Sequence, residues 1–148
     1  MSEETFDAHG SCICGKVSYT ATVKKGAGAC HCGMCRKWSG GPFMAAHAVG
    51  SVDFTGAEHI SRFSSSQWAE RGFCSHCGSN LFYFLLPRPG VPHGEYILSA
   101  GSVDEQQQLS FTNEVYVEHA PGWYDFTAAE SRTRLTEADI MAMYGGAD

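Results

Sequence analysis

Seven cysteines dominate the chemistry open to this chain. They fall into three short clusters: Cys12-Ile-Cys14-Gly, Cys30-His-Cys32-Gly-Met-Cys35 and Cys74-Ser-His-Cys77-Gly. The thiolate is the form of cysteine that binds metals and attacks electrophiles. An odd count prevents complete disulfide pairing, and in a reducing compartment clustered thiols serve as metal ligands or catalytic groups. Glycine follows Cys14, Cys32 and Cys77. In such turns successive backbone amides point at sulfur, and glycine takes the positive φ that this needs.

Spacing limits how the thiols divide. Cys12/Cys14 with Cys74/Cys77 make a closed four-thiolate zinc site, leaving Cys30, Cys32 and Cys35 as a three-thiolate site with one open corner. The rival division joins Cys32/Cys35 to Cys74/Cys77 as a zinc ribbon and strands Cys12, Cys14 and Cys30. Residues 36–73 would then separate the two pairs, well beyond the ribbon spacing of about 15–20. The four-plus-three division is therefore preferred. A closed site of this kind contributes roughly 10 kcal/mol or more to folding.

The open site has a different use. Zinc with three thiolates carries one net negative charge, which makes it a weak Lewis acid but a good receptor for a soft fourth ligand. A thiol bound there loses its proton and becomes a thiolate. The chemistry implied is the making or breaking of a carbon–sulfur bond. His31 alternates with the ligands and should point away from the metal, and His76 reads as a bystander within its knuckle. The His93-Gly-Glu95 triplet resembles a zinc-deaminase signature, but that signature requires later cysteines, and none follows Cys77.

The elements that must position these groups are mostly strands. Residues 16–23 alternate Val17, Tyr19, Ala21 and Val23 against polar neighbours, the period of a half-buried strand. KKGAGA reads as a loop delivering the chain to Cys30, and Gly40-Gly41-Pro42 as a turn. Short β-like runs follow (FMAAHAV, VDF, HISRF and WAERGF). Residues 81–86, LFYFLL, predict a fully buried strand; residues 95–100 and 114–118 predict two more. One helix is expected near the end, with Thr136 as N-cap, Asp139 in its first turn, Leu135 against Ile140 and Gly145 as its left-handed stop. The expectation is a mainly β, single domain over residues 1–148 with a short C-terminal helix.

Composition narrows the partners. The chain has 148 residues, net charge −6 and ten Lys and Arg, so no basic face is available for nucleic acid. No apolar run reaches the roughly 18 residues of a membrane span. The acidic start lacks the pattern of a secretory signal, and a cytoplasmic location is expected.

The segments GSCICGKVSY (10–19), CHCGMCRKWSGGPF (30–43), RGFCSHCGSNL (71–81) and EVYVEHAPGWYDF (114–126) resemble the glutathione-dependent formaldehyde-activating enzymes, grouped with centromere protein V. The resemblance covers about residues 9–126, and residues 127–148 form a divergent tail. It implies a β-tent fold shared with methionine-R-sulfoxide reductases and two zinc ions per chain. Cys12, Cys14, Cys74 and Cys77 would hold the structural zinc, and Cys30, Cys32 and Cys35 the catalytic one. The implied activity is that of a carbon–sulfur lyase, adding glutathione to formaldehyde to give S-(hydroxymethyl)glutathione. Arg36 and Lys37, with Arg71, are candidates to hold a glutathione carboxylate; Trp38 and Phe43 are candidates for an apolar wall, though packing is their first reading. Ser11 and Glu114 depart from the common family residues, Gly and His. Two other classes remain open at this level: a zinc-stabilised binding or scaffold module, and thiol redox chemistry at Cys30, Cys32 and Cys35.

Overall fold

In the computed structural model, which describes residues 3–127 and 132–144, the chain is mainly β. Nine strands form around one long member, β4 (Phe43–Thr55). One edge of β4 is lined by β2 (Ser18–Lys24) and then β3 (Gly26–Cys30), which together run antiparallel to it as one interrupted strand. Outside them lie β1 (Thr5–Ser11), antiparallel to β2, and β9 (Ser110–Val115), parallel to β3. Along the other edge β8 (Glu95–Ser99), β7 (Asn80–Leu85), β6 (Ala69–Cys74) and β5 (Ile60–Ser64) follow in antiparallel order. Two α-helices are described: α1 (Gly33–Ser39) and α2 (Glu137–Tyr144).

The alternation read in β2 is present: Tyr19 and Val23 are buried while Thr20 is exposed. Their partners in the core include Ala8, Val17, Ala46, Leu81, Phe82 and Leu98. The apolar run at 81–86 is not uniformly buried. Leu81 and Phe82 are in the core, but Tyr83 and Leu85 are half-buried because their side of β7 borders a cavity rather than packed side chains.

Three local expectations are corrected. KKGAGA is not a loop, since Gly26–Cys30 forms a strand between β4 and β9. Gly28 permits this: a Cβ there would lie 2.0 Å from Asn113 Oδ1 and 2.7 Å from the Asn113 carbonyl oxygen, so only glycine lets β9 approach so closely. The strand expected at 114–118 instead ends at Val115. Tyr116 takes a left-handed backbone, φ 56°, and a 3₁₀ turn follows over Val117–His119. Finally, the C-terminal helix is not alone. The chain after Cys32 winds into α1, whose end is the left-handed Gly40, with its N–H on the Arg36 carbonyl; the expected 40–42 turn begins as a helix cap.

The C-terminal helix has the expected start. Thr136 N–H donates to Asp139 Oδ2 at 2.9 Å, and Asp139 N–H donates to Thr136 Oγ1 at 3.1 Å, a reciprocal capping box. Gly145 lies outside the described residues.

Candidate metal centres and the cavity between strands

Cys12 and Cys14 leave the end of β1, while Cys74 ends β6 and Cys77 sits in the turn to β7. The four sulfurs lie within 4.8 Å of one another, with Cys12–Cys14 at 3.6 Å and Cys14–Cys74 at 3.8 Å. Bonds of about 2.3 Å to a tetrahedral zinc ion give sulfur–sulfur edges of about 3.8 Å, so the donor set fits a metal. The surrounding amides are aimed accordingly. Val17 N–H donates to Cys12 Sγ at 3.4 Å and Cys77 N–H to Cys74 Sγ at 3.5 Å. The Ser79 hydroxyl and N–H hold the Cys77 thiol down at about 5. Cys14 is pushed the other way, to about 11; Lys16 N–H lowers it, but burial and the three neighbouring sulfurs outweigh that. Four sulfurs this close need a cation to be anionic together.

The second cluster is built by β3 and α1. Cys30 is the last residue of β3, Cys32 is the N-cap of α1, and Cys35 lies in the first turn. Their sulfurs also fall within 4.8 Å of one another. Cys32 uses its thiol as a serine-like cap: its Sγ accepts from Cys35 N–H at 3.4 Å. This explains the helix start that ordinary propensity does not signal. Burial pushes the Cys35 thiol up to about 12; Arg71 lowers it, and the sulfurs of Cys32 and Cys30 raise it. Each cluster can hold a metal ion.

One face of the second cluster is bounded by a cavity of about 320 Å³. Its floor is Cys30, Cys32 and Cys35, and its walls include Phe43, Leu85, Ile97 and Val115. This size falls within the range of small-molecule sites, as does the pattern of apolar walls around a few polar groups. Arg71 also borders it and is only 4% exposed. Its Nη1 donates to Cys35 Sγ at 3.6 Å. The guanidinium lies over the rings of both Trp38, at 5.0 Å, and Tyr83, at 4.9 Å.

Residues 7–119 match the family model described as glutathione-dependent formaldehyde-activating enzyme. This chain belongs to that family. A Schizosaccharomyces pombe protein, described as an uncharacterized lyase, is 30% identical over 133 residues, 89% of this chain and 93% of its own length. A Halomonas elongata protein, provisionally named as a glutathione-dependent formaldehyde-activating enzyme, is 35% identical over 94 residues. That match covers 57% of this chain and 60% of the relative.

Against the family pattern, all seven cysteines converge as the four-plus-three division expects. Phe43 borders the cavity; Trp38 stands behind it, 5.3 Å from the Phe43 ring. Arg36 and Lys37 do not line the cavity. Arg36 donates from Nε to the His31 carbonyl at 3.1 Å, and Lys37 is exposed. A contact from either to glutathione would involve the part of the ligand outside the cavity. His31 is 2% exposed and turns from the sulfurs toward Tyr124 Oη, 2.7 Å from Nδ1, and Glu114 Oε1, 2.8 Å from Nε2. Glu114, a departure in the family motif, thus has a partner beside the three-cysteine cluster. Sequence reasoning gave no role to Tyr83, Tyr116 and His47, which also line the cavity. Only contacts between distant strands single them out; no local motif does.

Proposed function

We propose that the chain is a zinc-dependent carbon–sulfur lyase-type enzyme acting on glutathione or a glutathione adduct, with formation of S-(hydroxymethyl)glutathione from formaldehyde as the reference reaction. The observation that carries this reading is the cavity whose floor is Cys30, Cys32 and Cys35. Cys12, Cys14, Cys74 and Cys77 would hold a second, structural zinc ion. Zinc at the three-cysteine site supplies a soft centre that lowers the pKa of a thiol taken as fourth ligand.

The chain's own residues do the rest. Phe43, Ile97 and Val115 give the approach to the sulfurs apolar walls. In the forward direction the thiolate lone pair forms the bond to the carbonyl carbon, the C=O π pair moves to oxygen, and that oxygen takes up a proton. The reverse breaks the same carbon–sulfur bond. We assign the supply of that proton to Tyr83, which lines the same cavity; burial raises its phenol above the usual value, with Arg71 lowering it in part.

The test is exchange NMR with ¹³C-formaldehyde and glutathione, which interconvert with the adduct spontaneously. Protein loaded with two zinc ions should accelerate the exchange, and Cys30→Ser should abolish the acceleration. No acceleration by fully loaded, folded protein would overturn the assignment.

A further inference from the structure

Arg71 is the one buried arginine among the described residues, and its placement is unusual for a cation. It reaches the three-cysteine cluster from β6, thirty-six positions beyond Cys35 in sequence. No carboxylate pairs with it among the described residues. Its near neighbours are a sulfur and two aromatic rings, and its buried Nε has no hydrogen-bond partner. A buried charge without a partner is costly, so a compensating negative charge belongs beside it. Glu70, its neighbour on β6, and Glu114, beside the cysteine cluster, are already engaged with Arg62 and His31.

The charge count of the proposed site supplies what is missing. A divalent metal and three thiolates carry one negative charge; a fourth thiolate raises this to two. We propose that Arg71 is the built-in counter-cation of the three-cysteine site, and that it selects an anionic sulfur over a neutral ligand at the open position. The inference rests on the reading of that site as a thiol receptor. Trp38 and Tyr83 keep the guanidinium in place by stacking, so its charge cannot relax into solvent. The cation acts on Cys35 directly through Nη1 and faces the cavity in which the visiting sulfur sits. When a thiol binds, its proton leaves to solvent and the sulfur stays as thiolate, so the added charge falls where Arg71 is held. A neutral donor brings no charge and gains nothing from the cation. Arg71 is therefore a positioning and selectivity residue and forms no bond to the reacting carbon.

The experiment compares two ligands at fixed pH in cobalt-loaded protein, read by the change in cobalt absorption as each is added. Glutathione is the anionic ligand and imidazole the neutral one. Arg71→Met should weaken glutathione binding at least tenfold while leaving imidazole within about twofold, and Arg71→Lys should recover most of the difference. Circular dichroism and a metal count establish that each variant is folded and loaded; should the Met variant fail to fold, Arg71→Lys and Arg71→Gln give the same comparison. An unchanged glutathione-to-imidazole ratio in the folded, loaded Met or Gln variant would overturn the role of Arg71 alone. Unmutated protein that takes imidazole but shows no response to millimolar glutathione would overturn the thiol-receptor reading and this inference with it.

Discussion

His31 Nε2 lies 2.8 Å from Glu114 Oε1, which ties the residue between Cys30 and Cys32 to the strand that closes the cavity. The contact is reinforced on the same side. His31 N–H donates to the Val115 carbonyl at 3.1 Å, and the His31 ring stacks on Tyr124 with centroids 5.6 Å apart. Segment 113–126 is thereby docked onto the cysteine loop, with Tyr116 held in its left-handed conformation where it borders the cavity. A strained backbone of this kind persists only where its surroundings enforce it.

Removing the carboxylate tests that docking. Glu114→Ala leaves His31 Nε2 buried with no partner, which should cost about 1–3 kcal/mol. Chemical denaturation should show a lower midpoint with an unchanged slope, and amide exchange should quicken in β9 and the following turn. Glu114→Gln, which keeps an acceptor for a neutral imidazole, should lose less than half as much. Equal losses would mean that charge, not hydrogen bonding, is the main term.

The two cysteine clusters should separate on metal removal. Cys12 and Cys74 are buried and join β1 to β6, sixty-odd positions apart. A structural zinc site contributes roughly 10–16 kcal/mol, as much as the whole stability of a typical domain, about 5–15 kcal/mol. Cys74→Ser should therefore abolish cooperative folding. Cys30→Ser should fold, bind one metal per chain instead of two, and lose activity. Mild chelation should remove the three-cysteine metal first, with the circular dichroism spectrum retained; loss of both metals in a single unfolding step would refute the division of labour.

The cysteine arrangement was legible in the sequence because ligand spacing is a local property and the arithmetic of seven thiols leaves few partitions. Strands with period-two alternation, such as β2, were legible for the same local reason. What was hidden depends on contacts that close only in the fold. Helix α1 has seven residues with glycine at its start and no apolar stripe, and its cap is a thiol that also serves the cluster. Strand β3 contains two glycines and two alanines, a composition read as loop, and exists because β9 comes within reach of Gly28. Arg71 carried only a generic expectation of binding an anion. Its engagement with Cys35, Trp38 and Tyr83 follows from the pairing of β6 with β7, which no local pattern encodes.

Acid should release one specific clasp. His9 N–H donates to Glu105 Oε1 at 2.9 Å, and the His9 ring sits 2.7 Å from Oε2. The backbone N–H, then the ring, hold the Glu105 carboxyl below its ordinary 4.5. The folded value is thus lower than the unfolded one, so the clasp stabilises the fold above the unfolded value and is lost as pH falls through the folded one. Glu105→Gln should be less stable than the parent at pH 7, and the difference should shrink as pH falls below the ordinary carboxylate value of about 4.3 and close once it has passed through the lower folded value. Comparing the two proteins at each pH cancels the loss of metal that acid also causes. A difference that stays constant down to pH 3 would show that the hydrogen-bond geometry matters and the charge does not.

Gly28 offers a test of how β9 sets the cavity. A methyl group there meets the Asn113 side chain at 2.0 Å and the Asn113 carbonyl at 2.7 Å. A side chain can rotate away, but the carbonyl belongs to the strand, so β9 itself must shift. Such overpacking costs about 1–3 kcal/mol. Gly28 and Asn113 both border the cavity, so the shift should also widen it on the side opposite Phe43. Gly28→Ala is therefore expected to unfold at a lower denaturant concentration and to raise KM for glutathione more than it lowers kcat, because the cysteines on α1 keep their places while the wall moves. Gly15→Ala is the control: Gly15, unlike Gly28, takes a positive φ, and a Cβ there meets nothing within 4 Å, so it should cost stability through backbone strain alone and leave KM unchanged. Equal KM values for Gly28→Ala and the parent would mean that β9 does not shape the ligand site.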